Sequence, residues 1–307
     1  MDFKAFGWQG IELKIPQDWE LSEETGSYKQ GFIRFDDTAD PRLRISWRVL
    51  DKYKGKDPAH EALERTKKEI EKKDKGVRFI RETKLKISDH PSRYVHWRGS
   101  GERSLVEGCG LFWHCPETKR GFASVFAFRT DEYWNLRLAI QRVVRTISCH
   151  SNGPRLWTAF GLNMNIPQDF HLLERQYDLK CLHLLFSSAY GYFMIDRYNF
   201  GRSLKKEDRD LTDWFERNCK KKIERLFKCS QWGKIKKAHF NDHEGFLIQA
   251  FSKRTVLQRT KSMSESRVWH CEDKDKIYVV TTVRELEGHS ETEDNLDAIL
   301  RSVVCHE

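Results

Sequence analysis

Ile15-Pro16-Gln17-Asp18-Trp19 and Ile166-Pro167-Gln168-Asp169-Phe170 are two versions of one signal, and their recurrence decides how the chain is divided. Each closes an opening segment, led by Phe6-Gly7-Trp8 in the first instance and Phe160-Gly161-Leu162 in the second. Further out, Ser88-Asp89-His90 is echoed by Asn241-Asp242-His243, and Trp113-His114-Cys115 by Trp269-His270-Cys271. Ile147-Ser148-Cys149-His150 is echoed by Val303-Val304-Cys305-His306. The order and nearly the spacing are kept. A period of half the chain is too long for a solenoid, so each copy reads as a whole domain, 1–152 and 153–307, parted in the turn-forming Ser151-Asn152-Gly153-Pro154.

Within the first copy, Ile11, Leu13 and Ile15 alternate with polar residues up to Pro16, and Ile33 to Phe35 and Leu43 to Trp47 continue the alternation, which predicts half-buried strands. Asp57-Pro58 pairs an N-cap with a proline suited to the first helical position. Ala59, Leu63, Thr66 and Ile70 then share one helix face up to Gly76. The counterpart puts Leu211, Phe215, Cys219, Ile223 and Leu226 on one face. A meander follows, Val77 to Ile87, Tyr94 to Gly99, Cys109 to Cys115 and Phe122 to Phe128, parted by turn residues such as Asp89-His90-Pro91. A closing helix sets Leu136, Ile140, Val143 and Ile147 inward. In the second copy Ser290 and Glu293 predict a capping box before Leu296, Ile299, Leu300 and Val303. Hairpin-length connections require an antiparallel sheet, and two amphipathic helices per copy predict an α+β sandwich.

The alternating opening strand that ends in Ile-Pro-Gln-Asp-Trp, followed by strands, a helix, a meander and a closing helix, resembles the Mog1/PsbP-like superfamily across most of each half. The resemblance implies an antiparallel β-sheet flanked by helices, an α/β/α sandwich in each repeat. The superfamily includes a nuclear-transport GTPase-binding protein and an extrinsic photosystem II subunit, so it also implies action by binding. This chain departs from that pattern in being tandem and in its paired Cys-His elements.

Composition agrees with two globular domains. The 307 residues are 38% hydrophobic and 33% charged, with a mean hydropathy of −0.72. That is too apolar for a disordered chain, and no run of about 18 apolar residues exists to span a membrane. The opening residues carry Asp2, Lys4, Glu12 and Lys14 and lack an apolar signal-peptide core, so a cytoplasmic location is expected. Net charge is +9, with acids and bases interleaved rather than gathered in a basic tail. Eight cysteines in a chain this long do not make a disulfide scaffold.

Four of those cysteines lie in the repeated elements, and they carry the chemistry. If the closing helix runs antiparallel to the strand before it, Cys149-His150 returns to the sheet edge where His114-Cys115 ends. His270-Cys271 and Cys305-His306 repeat the arrangement. Two thiols and two imidazoles suit Zn²⁺, so His114, Cys115, Cys149, His150, His270, Cys271, Cys305 and His306 are the candidate ligands, one zinc per repeat. Neighbours in a regular strand face opposite ways, so His114 and Cys115 act together only where the strand ends or bulges. A three-ligand site of Cys115, Cys149 and His150 is the variant compatible with a zinc-dependent hydrolase. A Cys115–Cys149 and Cys271–Cys305 disulfide pair is the redox alternative, and ordinary packing is the bland one. A nucleophilic cysteine is disfavoured at a helix C-terminus, whose partial negative charge opposes a thiolate.

Other features have simpler readings. Asp89-His90 and Asp242-His243 read as turns, Gly99-Ser100-Gly101-Glu102 as a hairpin tip, and Cys109, Cys181, Cys219 and Cys229 as core. Lys67, Lys68, Lys72 and Lys73 on one helix, and Lys220, Lys221, Lys222, Arg225 and Lys228 on its counterpart, form basic stripes suited to an acidic macromolecule. The sequence therefore predicts a non-enzymatic, metal-clamped tandem protein that binds an unknown protein or acidic macromolecule. Zinc hydrolysis and nucleic-acid binding through the basic stripes are its rivals.

Overall fold

The computed structural model describes all residues except 1, 39, 52–56, 101–106, 190, 206–209, 241, 253–261, 286–289 and 306–307. The chain divides into two compact units, Met1–Ala159 and Phe160–Glu307.

In the first unit, β1 (Phe3–Trp8) and β2 (Ile11–Pro16) form a hairpin of their own. Next come β3 (Glu20–Gly26), β4 (Gln30–Asp36), β5 (Pro41–Val49), α1 (Pro58–Lys73), β6 (Arg78–Ile87), β7 (His90–Arg98), β8 (Glu107–Cys115), β9 (Arg120–Phe128) and α2 (Tyr133–Thr146), then a short β10 (Arg155–Trp157). The sheet is antiparallel throughout, in the order β3-β4-β5-β9-β8-β7-β6. The Asp57 side chain caps α1 by accepting from His60 N at 3.0 Å, and Pro58 takes the first turn. Ala59 and Leu63 then bury against Val95, Trp97 and Phe112, with Ala123 and Val125 packed at the margin. Because strand residues alternate, Phe122, Ser124, Phe126 and Phe128 point to the other face of β9, and all four are buried. That face is covered by α2, which packs on β2 and β9, and by the β1–β2 hairpin, whose Phe6 ring meets Phe35 edge-on at 4.7 Å.

The second unit contains β11 (Met164–Ile166), β12 (His171–Tyr177), β13 (Cys181–Ser187), β14 (Gly191–Asn199) and α3 (Gly201–Lys205). A continuous helical stretch follows: α4 (Leu211–Phe215), a π-turn (Glu216–Lys220) and α5 (Lys221–Phe227). β15 (Cys229–Trp232), β16 (Lys236–Phe240), β17 (His243–Ser252), β18 (Ser262–Cys271), β19 (Lys276–Glu285) and α6 (Ser290–Ser302) complete it. Its antiparallel sheet runs β12-β13-β14-β19-β18-β17-β15, with β16 also paired to β17.

Both units are richer in sheet than the α+β sandwich expected from the sequence. The helical cover is thin because one layer of the first unit is shared between a single helix and a β-hairpin. A second difference concerns the helix over the second sheet. The π-turn adds a residue to the turn and rotates the helix beyond it, so Trp214, Phe215, Cys219, Ile223 and Phe227 are buried while Leu226 faces outward. The capping-box side chains expected at Ser290 and Glu293, and the Gly101-Glu102 hairpin tip, lie outside the described residues.

Candidate metal centre

Three separate devices bring the first Cys-His group together. The two-residue turn Ser88-Asp89, both at positive φ (47° and 64°), joins β6 to β7 and leaves His90 as the first residue of β7. The Ser88 hydroxyl donates to Ile147 O at 2.7 Å, tying that turn to the chain leaving α2. Past α2, Ser148 exchanges backbone hydrogen bonds of 2.7 and 2.9 Å with Glu12 on β2, which sets the direction of Cys149 and His150. Cys115 ends β8, where the chain turns through Pro116 to Lys119.

The result is a group of four donors, His90, Cys115, Cys149 and His150, whose ligating atoms all lie within 4.8 Å of one another. His90 Nε2 is 3.4 Å from His150 Nδ1, and that same Nδ1 is 3.6 Å from Cys115 Sγ and 3.6 Å from Cys149 Sγ. Zinc tetrahedra with Zn–N near 2.05 Å and Zn–S near 2.3 Å have N···N edges of about 3.4 Å and S···N edges of about 3.6 Å. The three separations around His150 Nδ1 have the lengths of such edges, and the group could hold a metal ion. Cys115 and Cys149 are fully buried and His90 nearly so.

Two sulfurs this close share protons unequally. The hydrogen bond from Cys149, helped by Thr118 and opposed by burial, holds the Cys115 thiol well below the usual thiol range. The same bond, together with burial, pushes Cys149 up. Glu117 stands at the mouth, its Oε2 3.3 Å from both Cys115 Sγ and His90 Nε2. Behind the group lies Arg120, fully buried, donating to Gln9 O at 2.8 Å and Cys149 O at 3.2 Å between the rings of Tyr28 and Phe122. It braces the loop that carries Cys149.

The second unit brings together His243, Cys271 and Cys305. Cys305 Sγ is 3.2 Å from His243 Nε2. Burial and then the charge of Cys271 push the Cys305 thiol up to about 11. Here again the histidine opens a strand, β17, after a hairpin turn in which Asp242 takes φ 65°. Both groups are backed by a stacked aromatic pair, Trp113 with Phe122 at 4.9 Å and Trp269 with Tyr278 at 5.1 Å.

The group around Cys115 thus takes its third and fourth donors from His90 and His150 rather than from His114. His114 is half-buried and adjoins Cys115 within the strand, where alternation turns the two side chains to opposite faces. His270 is likewise outside the second group, buried with its Nε2 3.6 Å from Asp275, and His306 lies outside the described residues. The signal for His90 and His243 was present in the repeated Asp-His pair, whose turn geometry is what presents the imidazole. Glu117 and Arg120 had no signal beyond their proximity to Cys115 in sequence.

The basic stripes are partly spent. Lys67 pairs with Glu64 and Glu82, Lys220 with Glu216 at 3.1 Å, and Lys222 with the buried Asp196 at 2.8 Å. Lys68, Lys72 and Lys73 on α1, and Lys221, Arg225 and Lys228 at α5, remain exposed.

No protein-family profile matches the chain, and no curated protein sequence does. Among solved structures it is similar to cyanobacterial PsbP (CyanoP) from Synechocystis, at 11% identity over 48% of this chain and 91% of that one, with a TM-score of 0.37. The resemblance to PsbP is weak and at the level of fold. A protein of unknown function from Pseudomonas aeruginosa, described as a putative regulator, is similar at 11% identity over 50% of this chain and all (100%) of that one, TM-score 0.32. The immunity protein TplEi of the T6SS from Pseudomonas aeruginosa is similar at 13% identity, covering 98% of this chain and 95% of that one, TM-score 0.30. Among the described residues, no helix is long and apolar enough to cross a membrane.

Proposed function

We propose that the chain is a non-enzymatic, cytoplasmic protein of two tandem domains, each clamped by one zinc ion, that acts by binding a partner macromolecule. In the first domain His90, Cys115, Cys149 and His150 hold the metal. In the second, His243, Cys271 and Cys305 do, with His306 supplied by the sequence correspondence between Cys149-His150 and Cys305-His306. The observation that carries this reading is the match between the separations of 3.4, 3.6 and 3.6 Å around His150 Nδ1 and the edges of a zinc tetrahedron. A set of four protein donors leaves no position for substrate, which is the signature of a structural rather than a catalytic zinc. The clamp ties the end of the closing helix to the end of β8 and the start of β7, so the metal stabilises the sheet that displays the binding surface.

Elemental analysis of protein purified without added metal, with a thiol count under denaturing conditions, tests this directly. Two equivalents of zinc, both lost in the Cys149→Ser, Cys305→Ser double variant, support the clamps. Zinc-free protein, with either four thiols missing or all eight free, overturns them.

One observation favours a second reading. Glu117 supplies the carboxylate that a zinc hydrolase needs as a general base, 3.3 Å from two members of the group. In that case Cys115, Cys149 and His150 hold the metal and His90 is released. Zinc-dependent ester hydrolysis that falls at least about hundredfold in Glu117→Gln with the metal retained would establish it.

A further inference from the structure

The outward face of α2 combines features that the clamp does not use. Ala139, Ile140 and Val143 bury one side of this helix, yet Trp134 and Leu138, one turn apart on the opposite side, are 71% and 73% exposed. The stripe continues along the same line through Gln141 to Arg145, with Arg137 and Arg142 flanking it, and all of these are exposed. No acidic residue occurs between Tyr133 and Thr146. The exposed Lys14 stands beside the last turn, where its backbone N–H donates to Thr146 Oγ1 at 3.0 Å. The Arg137 guanidinium lies 5.6 Å from the Trp134 ring centre, and that of Arg142 lies 4.2 Å from the ring centre of Phe3.

An exposed tryptophan beside a leucine, both on a regular helix and ringed by arginines, has the composition of an interface centre, where Trp and Arg carry most of the binding energy. Leaving Trp134 and Leu138 in water stabilises nothing in the folded chain, since the buried side of α2 already docks the helix. Within Tyr133–Thr146 every charged residue is an arginine, with the exposed Asp131 just before the helix, unlike the α1 stripe, where Lys67 is neutralised by Glu64 and Glu82. We propose that this face, centred on Trp134 and Leu138 and rimmed by Arg137, Arg142 and Arg145, is the docking surface for an acidic segment of a partner protein that presents apolar side chains between its carboxylates. The inference rests on the reading of the chain as a binding protein and is independent of the metal. A lipid surface fits less well. Two apolar side chains are few for insertion, and the opposite side of the helix is fixed to the sheet and cannot rotate outward.

The test uses the full chain and two variants, Trp134→Ala with Leu138→Ala, and Arg137→Glu with Arg142→Glu. All four substitutions lie on the solvent face. Each protein is titrated with a fluorescent peptide in which Glu and Asp alternate with Leu and Phe, and with its counterpart in which every acid is lysine. Vesicles of phosphatidylcholine with and without phosphatidylserine are assayed alongside by sedimentation. The expected result is binding of the acidic peptide at least about tenfold tighter than the lysine peptide at low salt, with each double variant losing about tenfold or more. Absence of binding, equal affinity for the two peptides, or equal binding by the variants overturns the proposal. Co-sedimentation with phosphatidylserine vesicles in the absence of peptide binding overturns it in favour of a membrane. Metal content and melting temperature are measured on the same samples. Loss of peptide binding with zinc retained indicts this surface alone, and absence of zinc with peptide binding retained indicts the clamp alone.

Discussion

The two units build their Cys-His groups alike and their helix–sheet interfaces differently. In the first unit Phe32 on β4 pairs with Ser46 on β5, and Ser46 lines a hollow of about 260 Å³ together with Ala62 and Thr66 of α1. In the second unit the corresponding register positions are His183 and Asp196. Asp196 Oδ1 lies 2.6 Å from His183 Nδ1 and 2.8 Å from Lys222 Nζ on α5, with Asp196 wholly out of solvent. A hollow in one unit is replaced by an ion network in the other. By contrast, the strand-opening histidine after its turn, the cysteine closing the next strand, the cysteine after the last helix and the stacked Trp behind them recur in both. Filling a space between helix and sheet has many solutions, whereas gathering thiols and imidazoles at one point depends on where strands end and turns fall, and those positions recur in both units.

The buried arginines show the same freedom at closer range. Arg120 on β9 donates to Gln9 O and Arg197 on β14 donates to Phe160 O. Gln9 and Phe160 each take positive φ, 52° and 61°, before a glycine that does so too. The guanidinium meets the same kind of left-handed turn from different strands, so the requirement lies with the carbonyl and not with the sequence position.

The largest expected effect is that of a chelator, on the proposal that each group holds zinc. With free zinc about a thousandfold above its Kd, each clamp would contribute about 4 kcal/mol, and at about 2–4 °C per kcal/mol a chelator should lower both calorimetric transitions by about 8–16 °C. Cys149→Ser should lower one of them, and a chelator that moves only one would show that the groups are not alike. Next in size, Asp196→Ala leaves Lys222 and His183 without their anion and should cost about 3 kcal/mol in urea unfolding, whereas Ser46→Ala should cost under about 1 kcal/mol. Equal effects would dissolve the contrast between the interfaces.

In the presence of a chelator, acid should weaken the first unit through two of its carboxylates. The Arg42 guanidinium, 2.7 Å away, holds the Glu132 carboxyl below its ordinary range. Burial works against Glu107, yet hydrogen bonds from Arg98, Thr130 and His96 hold it low as well. A carboxyl depressed in the folded state contributes stability that is full above its unfolded value, near pH 4.5, and is lost as pH falls through the folded value. The first unit should therefore lose stability below about pH 4.5, and Glu132→Gln should flatten that loss. A pH series of melting curves checks it. The smallest expected effect is a gain. Ala62→Leu, filling the hollow under α1, should stabilise the first unit by about 0.5–1 kcal/mol in the same urea assay.

Much of the architecture was legible because it rests on local patterns. Alternation marked Ile11 to Ile15, turn residues such as Asp89 parted the strands of the meander, and Asp57-Pro58 marked the start of α1. The π-turn was not legible, since nothing in Glu216 to Lys220 departs from ordinary helical composition, and it is this turn that exchanges Leu226 for Phe227 on the buried face. Nor was the exposed pair on α2. The inward residues expected for the closing helix were Leu136, Ile140, Val143 and Ile147, and the structure adds that Trp134 and Leu138 on the other side stand in solvent.

From residue type and short-range periodicity alone come the antiparallel, strand-rich character of the chain, the start of α1 and the thiols on offer at Cys115, Cys149, Cys271 and Cys305. The tertiary structure alone decided which histidines face those sulfurs. Strand alternation turns His114 away from Cys115. The antiparallel pairing of β7 with β8 sets His90, at the start of one, beside Cys115, at the end of the other, and the Ser88 hydroxyl fastens the preceding turn to Ile147.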